Sequence, residues 1–275
     1  MEPRSWNLLS PATGRWSSQI TTVPTVAAFM SATFRLMTVN LLHQRCDAAD
    51  FARLLEKTSP DVVVTQELGP MCADVIASAF PNHRLRPALG FLGRGIATRF
   101  DAEFGQIEMR GRPGTSAVLD VNGMRLRLAG AHLINPIQFP WWTSVRTRGH
   151  QVAELFQWLE EDSGPVLVAG DFNASPRWPV YKQMTTRLDD LVVDWAEREG
   201  VRPERTWGWR PGWPRILRID HVFGSGDVHA VEVVVEPVLG TDHHAVVVDI
   251  ELSVARGQPP TSPGGGDDEP PLRSP

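Results

Sequence analysis

Two cysteines, one tyrosine and no long apolar run are what this 275-residue chain holds least of. Cys46 and Cys72 are too few for a disulfide framework and lack metal-type spacing, so they read as reduced, small apolar residues, with a single bridge left open. No stretch reaches the apolar length that spans a membrane. The mildly apolar run from Ile20 to Met30 is broken by Pro24 and preceded only by Arg4 and Arg15, a poor match to a secretory signal. A cytoplasmic location is expected, with secretion not excluded, and Met30 or Met37 could be the true start. Basic excess is also missing. The net charge of −5 gives no global field for holding nucleic acid, although a local cleft can still be positive. Hydrophobic content of 42% and charged content of 21% fit an ordinary globular protein large enough for a sizeable core, expected as a monomer.

The ends differ from the middle. Residues 1–32 are Ser/Thr/Pro-rich and read as a flexible leader; residues 255–275 are Pro/Gly-rich and acidic and read as a disordered tail. One domain is expected over 33–254. Strand Phe34–Asn40 precedes a helix with Phe51, Leu54, Leu55 and Thr58 on one face, ended by Pro60. A strand at 61–66 and a helix at 71–80 follow. Strands are then expected at 95–98, 103–109, 116–121 and 125–132, with Asn122-Gly123 as a hairpin turn. A helix at 147–161 leads to strand 166–171, and strands at 220–224, 228–235 and 245–252 close the domain. The β-α-β units at 34–67 and 125–173 should cross over right-handed and deliver both strand ends to one sheet edge. Parallel units mixed with hairpins predict two mixed sheets covered by helices.

Six of these runs end on polar groups. Val62-Val63-Val64 runs into Gln66-Glu67, Val166–Gly170 into Asp171-Phe172-Asn173, and Leu126–Ala131 into His132. Others reach Asn40, Asp220-His221 and Asp242-His243. Such groups are costly to bury unless paired, so their recurrence at one edge predicts an assembled site. Carboxylates, amides and histidines together suit hydrolysis at phosphorus. Glu67, with Asn40 and Asp242, offers the hard oxygen ligands that Mg²⁺ takes. Asp171 can take a proton from water, Asn173 can orient that water, and His132 and His243 can donate to phosphoryl oxygens or the leaving group. Asp220 would keep one imidazole protonated and aligned. Strand alternation lets only one of His243 and His244 face the site.

With Asn40, Gln66-Glu67, His132-Leu133, Gly170-Asp171-Phe172-Asn173, Arg218-Ile219-Asp220-His221 and Thr241-Asp242-His243 in that order, the chain resembles the endonuclease/exonuclease/phosphatase superfamily. The resemblance covers about 34–252 and implies a four-layer α/β sandwich, two mixed β-sheets flanked by helices. It further implies Mg²⁺ or Mn²⁺ at Glu67 with Asp242 and Asn40 around it, water handled by Asp171 and Asn173, and Asp220 orienting His243. The pattern selects His243 over His244. AP endonucleases place a tyrosine between the glutamate and the Asp-Phe-Asn segment; the single Tyr181 lies after it, so AP-site cleavage is not the first expectation.

Trp141, Trp142, Trp207, Trp209 and Trp213 are placed in two loops beside arginines, either as a substrate rim that stacks on bases or inserts into lipid, or as loop packing. Trp141, Trp142, Trp209 and Arg148 are carried as substrate-binding candidates, and His43, His83, His150, His221 and His229 as structural or surface. The expected activity is a metal-dependent phosphodiesterase of nuclease type. A sphingomyelinase-like or inositol-phosphate-type phosphatase is the alternative, and a non-catalytic binding protein on the same scaffold the reading of another class. The substrate is a phosphate ester, whether nucleic acid, lipid or small molecule.

Overall fold

A computed structural model of the chain describes residues 29–136 and 141–255. Twelve strands among these residues fall into two six-stranded sheets. The first is ordered β11 (Val228–Pro237), β12 (His244–Ala255), β1 (Phe29–His43), β2 (Val62–Leu68), β4 (Arg94–Thr98), β3 (Asn82–Arg86); the second is ordered β5 (Ala102–Ile107), β6 (Gly114–Val121), β7 (Met124–His132), β8 (Val166–Asp171), β10 (Asp220–Gly224), β9 (Asp189–Asp190). In the first, β1 (Phe29–His43) lies antiparallel to β12 (His244–Ala255) and parallel to β2 (Val62–Leu68), joined by α1 (Ala48–Thr58). In the second, β7 (Met124–His132) runs parallel to β8 (Val166–Asp171), joined by α3 (Trp141–Glu160). Both expected crossover units are therefore present, and the architecture is the four-layer α/β sandwich.

Alternation in the strands builds three apolar layers. Leu36, Val62 and Val64 face Leu119, Leu126, Leu128 and Leu167 between the sheets. Met37, Val39 and Val63 turn outward onto Phe51, Leu54 and Leu55 of α1 and Cys72 and Ile76 of α2 (Pro70–Ala79). Val166, Val168 and Ala129 do the same toward Val152 and Leu155 of α3. Asp47 caps α1 by accepting from the Asp50 N–H, and Ser59 ends it in the left-handed region at φ 45°. Asn122 and Gly123 both take positive φ, 55° and 84°, in the turn between β6 (Gly114–Val121) and β7.

Several expectations are corrected. β1 begins at Phe29, inside the expected leader, because Phe29–Ala32 pairs with Leu252–Ala255. The expectations for 1–28 and 256–275 lie outside the described residues. Helix α3 starts at Trp141 rather than 147, so Trp141 and Trp142 are helical and not in a loop. Four elements had no counterpart: β3 (Asn82–Arg86), α4 (Pro179–Met184), β9 (Asp189–Asp190) and α5 (Leu191–Glu199). Polar β3 covers the first sheet's edge, and β9 and α4 are too short for a period. Helix α5 carried readable signals in its Asp190 cap and in Gly200, left-handed at φ 68°.

Candidate active site

The two parallel units bring their C-terminal strand ends to one edge. Register places Asn40 beside Gln66 in one sheet, and His132 beside Asp171 in the other. Strand β10 (Asp220–Gly224) runs antiparallel to β8, so its first residue, Asp220, also pairs with Asp171. The 241–243 turn enters β12 at the same edge. Thr241 fastens it, its hydroxyl donating to the Asn40 carbonyl at 2.8 Å and accepting from the His243 N–H at 3.1 Å.

Asp171 sits at the centre, 1% exposed. Its approach needs Gly170 at φ 146°, where a Cβ would lie 1.9 Å from the Ala131 carbonyl oxygen. Its oxygens accept from the Asn173 N–H at 2.8 Å, the Asn40 amide at 3.1 Å and the Asn173 amide at 3.2 Å. Asn173 is itself left-handed at φ 47°, and its amide also donates to the Leu133 carbonyl. Burial pushes the Asp171 carboxyl up, and Asp220 and Glu67 add to that against His243 and the Asn173 N–H, leaving it at about 7.

His243 Nδ1 lies 2.9 and 3.1 Å from the two Asp220 oxygens, while Nε2 points toward Asp171 at 3.8 Å. Burial alone would push this imidazole down, but Asp220, with Asp171 and Asp242, raises it to about 9. His132 has the opposite fate. Its Nε2 lies 3.5 Å from Asp171 and 3.7 Å from Glu67, but burial and the abutting Arg112 guanidinium hold it well below the usual histidine range, as a neutral ring.

Glu67 ends β2 in the left-handed region at φ 50°, a conformation unfavourable for a non-glycine residue. Its Oε2 is buried with no hydrogen-bond partner, and burial raises its pKa against the pull of Asn40, His243 and Arg112. Asp242 accepts from the Trp207 indole N–H at 3.1 Å through Oδ2, while its Oδ1 is likewise buried and unpartnered. Two carboxylates with orphaned oxygens are a poor arrangement for a protein alone and a good one for a hard divalent cation. Asp171, Asp220 and His243 also have ligand-type atoms within 4.8 Å of one another. Asp220 is already engaged by His243 Nδ1, and Asp171 by Asn40 and Asn173, so the unpartnered oxygens of Glu67 and Asp242 are the ones free to take a cation. Asn40 bridges the groups, donating to Asp171 and bonding to Glu67.

The cleft over these residues has a volume of about 620 Å³. Leu42, Phe91, Trp178, Trp207, Trp209, Leu217 and Ile219 line it together with Arg112. Of the expected rim, Trp209 is in place, 62% exposed and edge-on to Trp207 at 5.1 Å. Trp142 does not line the cleft, and the Trp141 side chain lies outside what is described. Arg148, expected as a substrate-binding candidate, does not line the cleft: 4% exposed, it donates to the Asn173 carbonyl at 2.8 Å. Arg112, Phe91 and Trp178 are cleft residues the sequence reading missed, and His43, expected to be structural or surface, lies against Glu67. Arg112 stands between Gly111 and Pro113 in a loop with no periodicity, and His43 closes β1 beyond Asn40, where the expected strand ended.

Hydrolysis of a phosphate ester needs a cation pocket, a base for water and a charged donor, and the fold and site together have the layout of the phosphoesterase class of hydrolases. The chain belongs to the Endonuclease/Exonuclease/phosphatase family, whose model matches residues 37–243. No curated protein matches the sequence. Among solved structures, the human Nocturnin catalytic domain with bound sulfate is similar at 18% identity and TM-score 0.62, covering 82% of this chain and 97% of its own. D. rerio TDP2 complexed with single-strand DNA product is similar at 18% identity and TM-score 0.63, over 80% of this chain and 99% of its own. A mannosyl-6-phosphatase of Bacteroides thetaiotaomicron shares 16% identity at TM-score 0.59, over 79% and 99%. At these identities the likeness speaks for the fold. Among the described residues, no helix is long and apolar enough to cross a membrane.

Proposed function

We propose that this protein is a divalent-metal-dependent phosphoesterase, acting first of all as a nuclease-like phosphodiesterase. The observation that carries it is the line Asp220–His243–Asp171, at 2.9 and 3.8 Å, beside the unpartnered oxygens of Glu67 and Asp242. Glu67 and Asp242 hold the cation, with Asn40 orienting Glu67; the residues fit Mg²⁺ or Mn²⁺. A cation held there would supply positive charge to neutralise the phosphoryl oxygens.

Asp171 accepts the proton of the attacking water, which Asn173 helps to hold. Its value near 7 leaves a useful fraction ionised at neutral pH, and added positive charge nearby increases that fraction. His243, kept protonated by Asp220, donates to the phosphoryl group as negative charge grows on it. Neutral His132 donates or accepts a hydrogen bond without adding charge, while Arg112 supplies a fixed positive one. Attack is in line, with inversion at phosphorus.

The aromatic walls formed by Phe91, Trp178, Trp207 and Trp209 favour a flat group next to the phosphate, as a nucleobase provides. A lipid phosphodiester is the second reading, favoured by Trp209 and Trp213, which are 62% and 54% exposed. Rates on plasmid DNA, bis-p-nitrophenyl phosphate, sphingomyelin vesicles and inositol phosphates, each with chelator and with metal restored, test the proposal. Metal-dependent turnover of the nucleic-acid and aryl diesters is expected. Turnover that survives chelation, or none on any of the four, overturns it.

A further inference from the structure

His43 stands outside the six strand-end motifs, yet its Nδ1 is 3.0 Å from Glu67 Oε2. The two atoms lack hydrogen-bond alignment, and both are buried without a partner. A neutral imidazole and a carboxylate turned lone pair to lone pair repel each other unless something positive lies between them. The ring also hydrogen-bonds to the Gly90 backbone. Nδ1, buried and without a hydrogen-bond partner, is left facing the carboxylate.

The ring is also held rigidly. Phe91 meets it edge-on at 4.6 Å. Leu42 and His43 are both left-handed, at φ 46° and 59°, and Gly69 packs so closely that a Cβ there would come within 2.3 Å of the His43 carbonyl oxygen. Two successive non-glycine residues in that region are unfavourable, so the surrounding packing must over-determine the turn. Glu67, from the other strand, reaches His43 through a left-handed backbone of its own.

We propose that His43 is a ligand of the cation held by Glu67, through Nδ1, making the site a mixed nitrogen–oxygen centre that selects Mn²⁺ over Mg²⁺. The inference rests on the phosphoesterase reading of Glu67 and narrows its metal. Mg²⁺ takes hard oxygen ligands and gives up its waters reluctantly, whereas imidazole suits first-row transition metals. The Gly90 backbone then serves as the outer partner that fixes the tautomer of a ligating histidine.

The test loads the full-length, metal-free protein with Mn²⁺ alone and with Mg²⁺ alone, measuring affinity by calorimetry and ligand identity by electron spin-echo modulation of bound Mn²⁺. The wild type should show ¹⁴N coupling and bind Mn²⁺ at least about tenfold tighter than Mg²⁺. His43→Ala should lose that coupling and weaken Mn²⁺ binding by at least about tenfold, with Mg²⁺ affected much less. Circular dichroism checks its fold, and should His43→Ala fail to fold, His43→Gln, which offers no imidazole nitrogen, stands in with the same expectations. Absent coupling in the wild type, coupling that persists without His43, or equal losses for both metals overturns the inference while leaving Glu67 as a metal ligand. Mn²⁺ binding that survives unchanged in Glu67→Gln sinks the underlying site as well.

Discussion

Strand β10 carries two histidine–carboxylate pairs on its opposite faces, and they differ in what is left unfilled. On the cleft face, Asp220 holds His243 Nδ1 at 2.9 Å and leaves Nε2 directed at Asp171, 3.8 Å away. On the other face, His221 lies 3.3 Å from Asp190 through Nδ1 and 2.8 Å from the Ala174 carbonyl through Nε2, so neither nitrogen is free. Asp190 is equally occupied, by Arg218 at 2.9 Å and by the backbone N–H groups of Val192 and Val193 that it caps. Tyr181, Phe172 and Phe223 close over the ring. Burial alone would push the Asp190 carboxyl up, yet His221 and Arg218 hold it well below the usual carboxylate range. At Asp171, burial wins instead. A saturated pair is structure; an open nitrogen beside a poorly solvated carboxylate is chemistry.

The largest effects should therefore fall on the cleft face. Asp171→Asn removes the proposed base for water and should lower kcat by about four orders of magnitude on any diester the wild type turns over. His243→Ala should cost about 10²–10⁴-fold. Both should unfold cooperatively near the wild-type temperature. Rates within tenfold of wild type in either variant would erase the distinction between the two faces.

A second, smaller break acts through charge. In the proposed mechanism Asp171 is ionised and His243 protonated, so kcat/KM should rise through about pH 7, fall through about pH 9, and peak between them. Added positive charge at Glu67 moves the acid limb below 7. Asp220→Asn deletes the group that holds the proton on His243 and leaves burial to push the ring down. The alkaline limb should then shift toward lower pH, with a peak rate down on the order of 100-fold. A limb that stays near 9 would assign it to another group.

The opposite face should fail differently. His221→Ala leaves Asp190 and the Ala174 carbonyl short of a partner, and should cost about 1–3 kcal/mol of stability in denaturant melts. Turnover at 25 °C should stay within a few-fold. Lost turnover with unchanged stability would mean that His221 reaches the reaction after all.

The sequence showed less of this than its motifs suggest. Asp220-His221 and Asp242-His243 look like two local pairs, but strand alternation splits each and pairs Asp220 with His243 across the site. Strand ends were legible because a polar residue after a buried run needs a partner. His43 was not, since it aims inward only through two left-handed residues that no periodicity reports. Arg112 was lost in a Gly-Pro loop, and Arg148 was a substrate-binding candidate whose buried position against Asn173 depended on helix packing. The Asp190–His221–Arg218 network needed α5 and β9, which were not foreseen, so His221 carried no visible reason for its burial.

The smallest expected effect tests that alternation directly. His244 follows His243 but faces away, half-buried, with its N–H on the Thr206 carbonyl at 2.8 Å. Burial, with Arg215 alongside, lowers its pKa to about 4, so it stays neutral across the assay range and contributes no limb to the rate profile. His244→Ala should change kcat by no more than about twofold, in contrast to the loss expected at its neighbour. Its trace should appear in stability instead. A histidine whose folded pKa lies below its unfolded value binds protons more readily when unfolded, so acidification destabilises the wild type between about pH 6.5 and 4. Removing the ring removes that penalty. The Tm difference between variant and wild type should therefore shift in the variant's favour from pH 8 to pH 5. A moved alkaline limb in the rate profile would instead place His244, rather than His243, against Asp220.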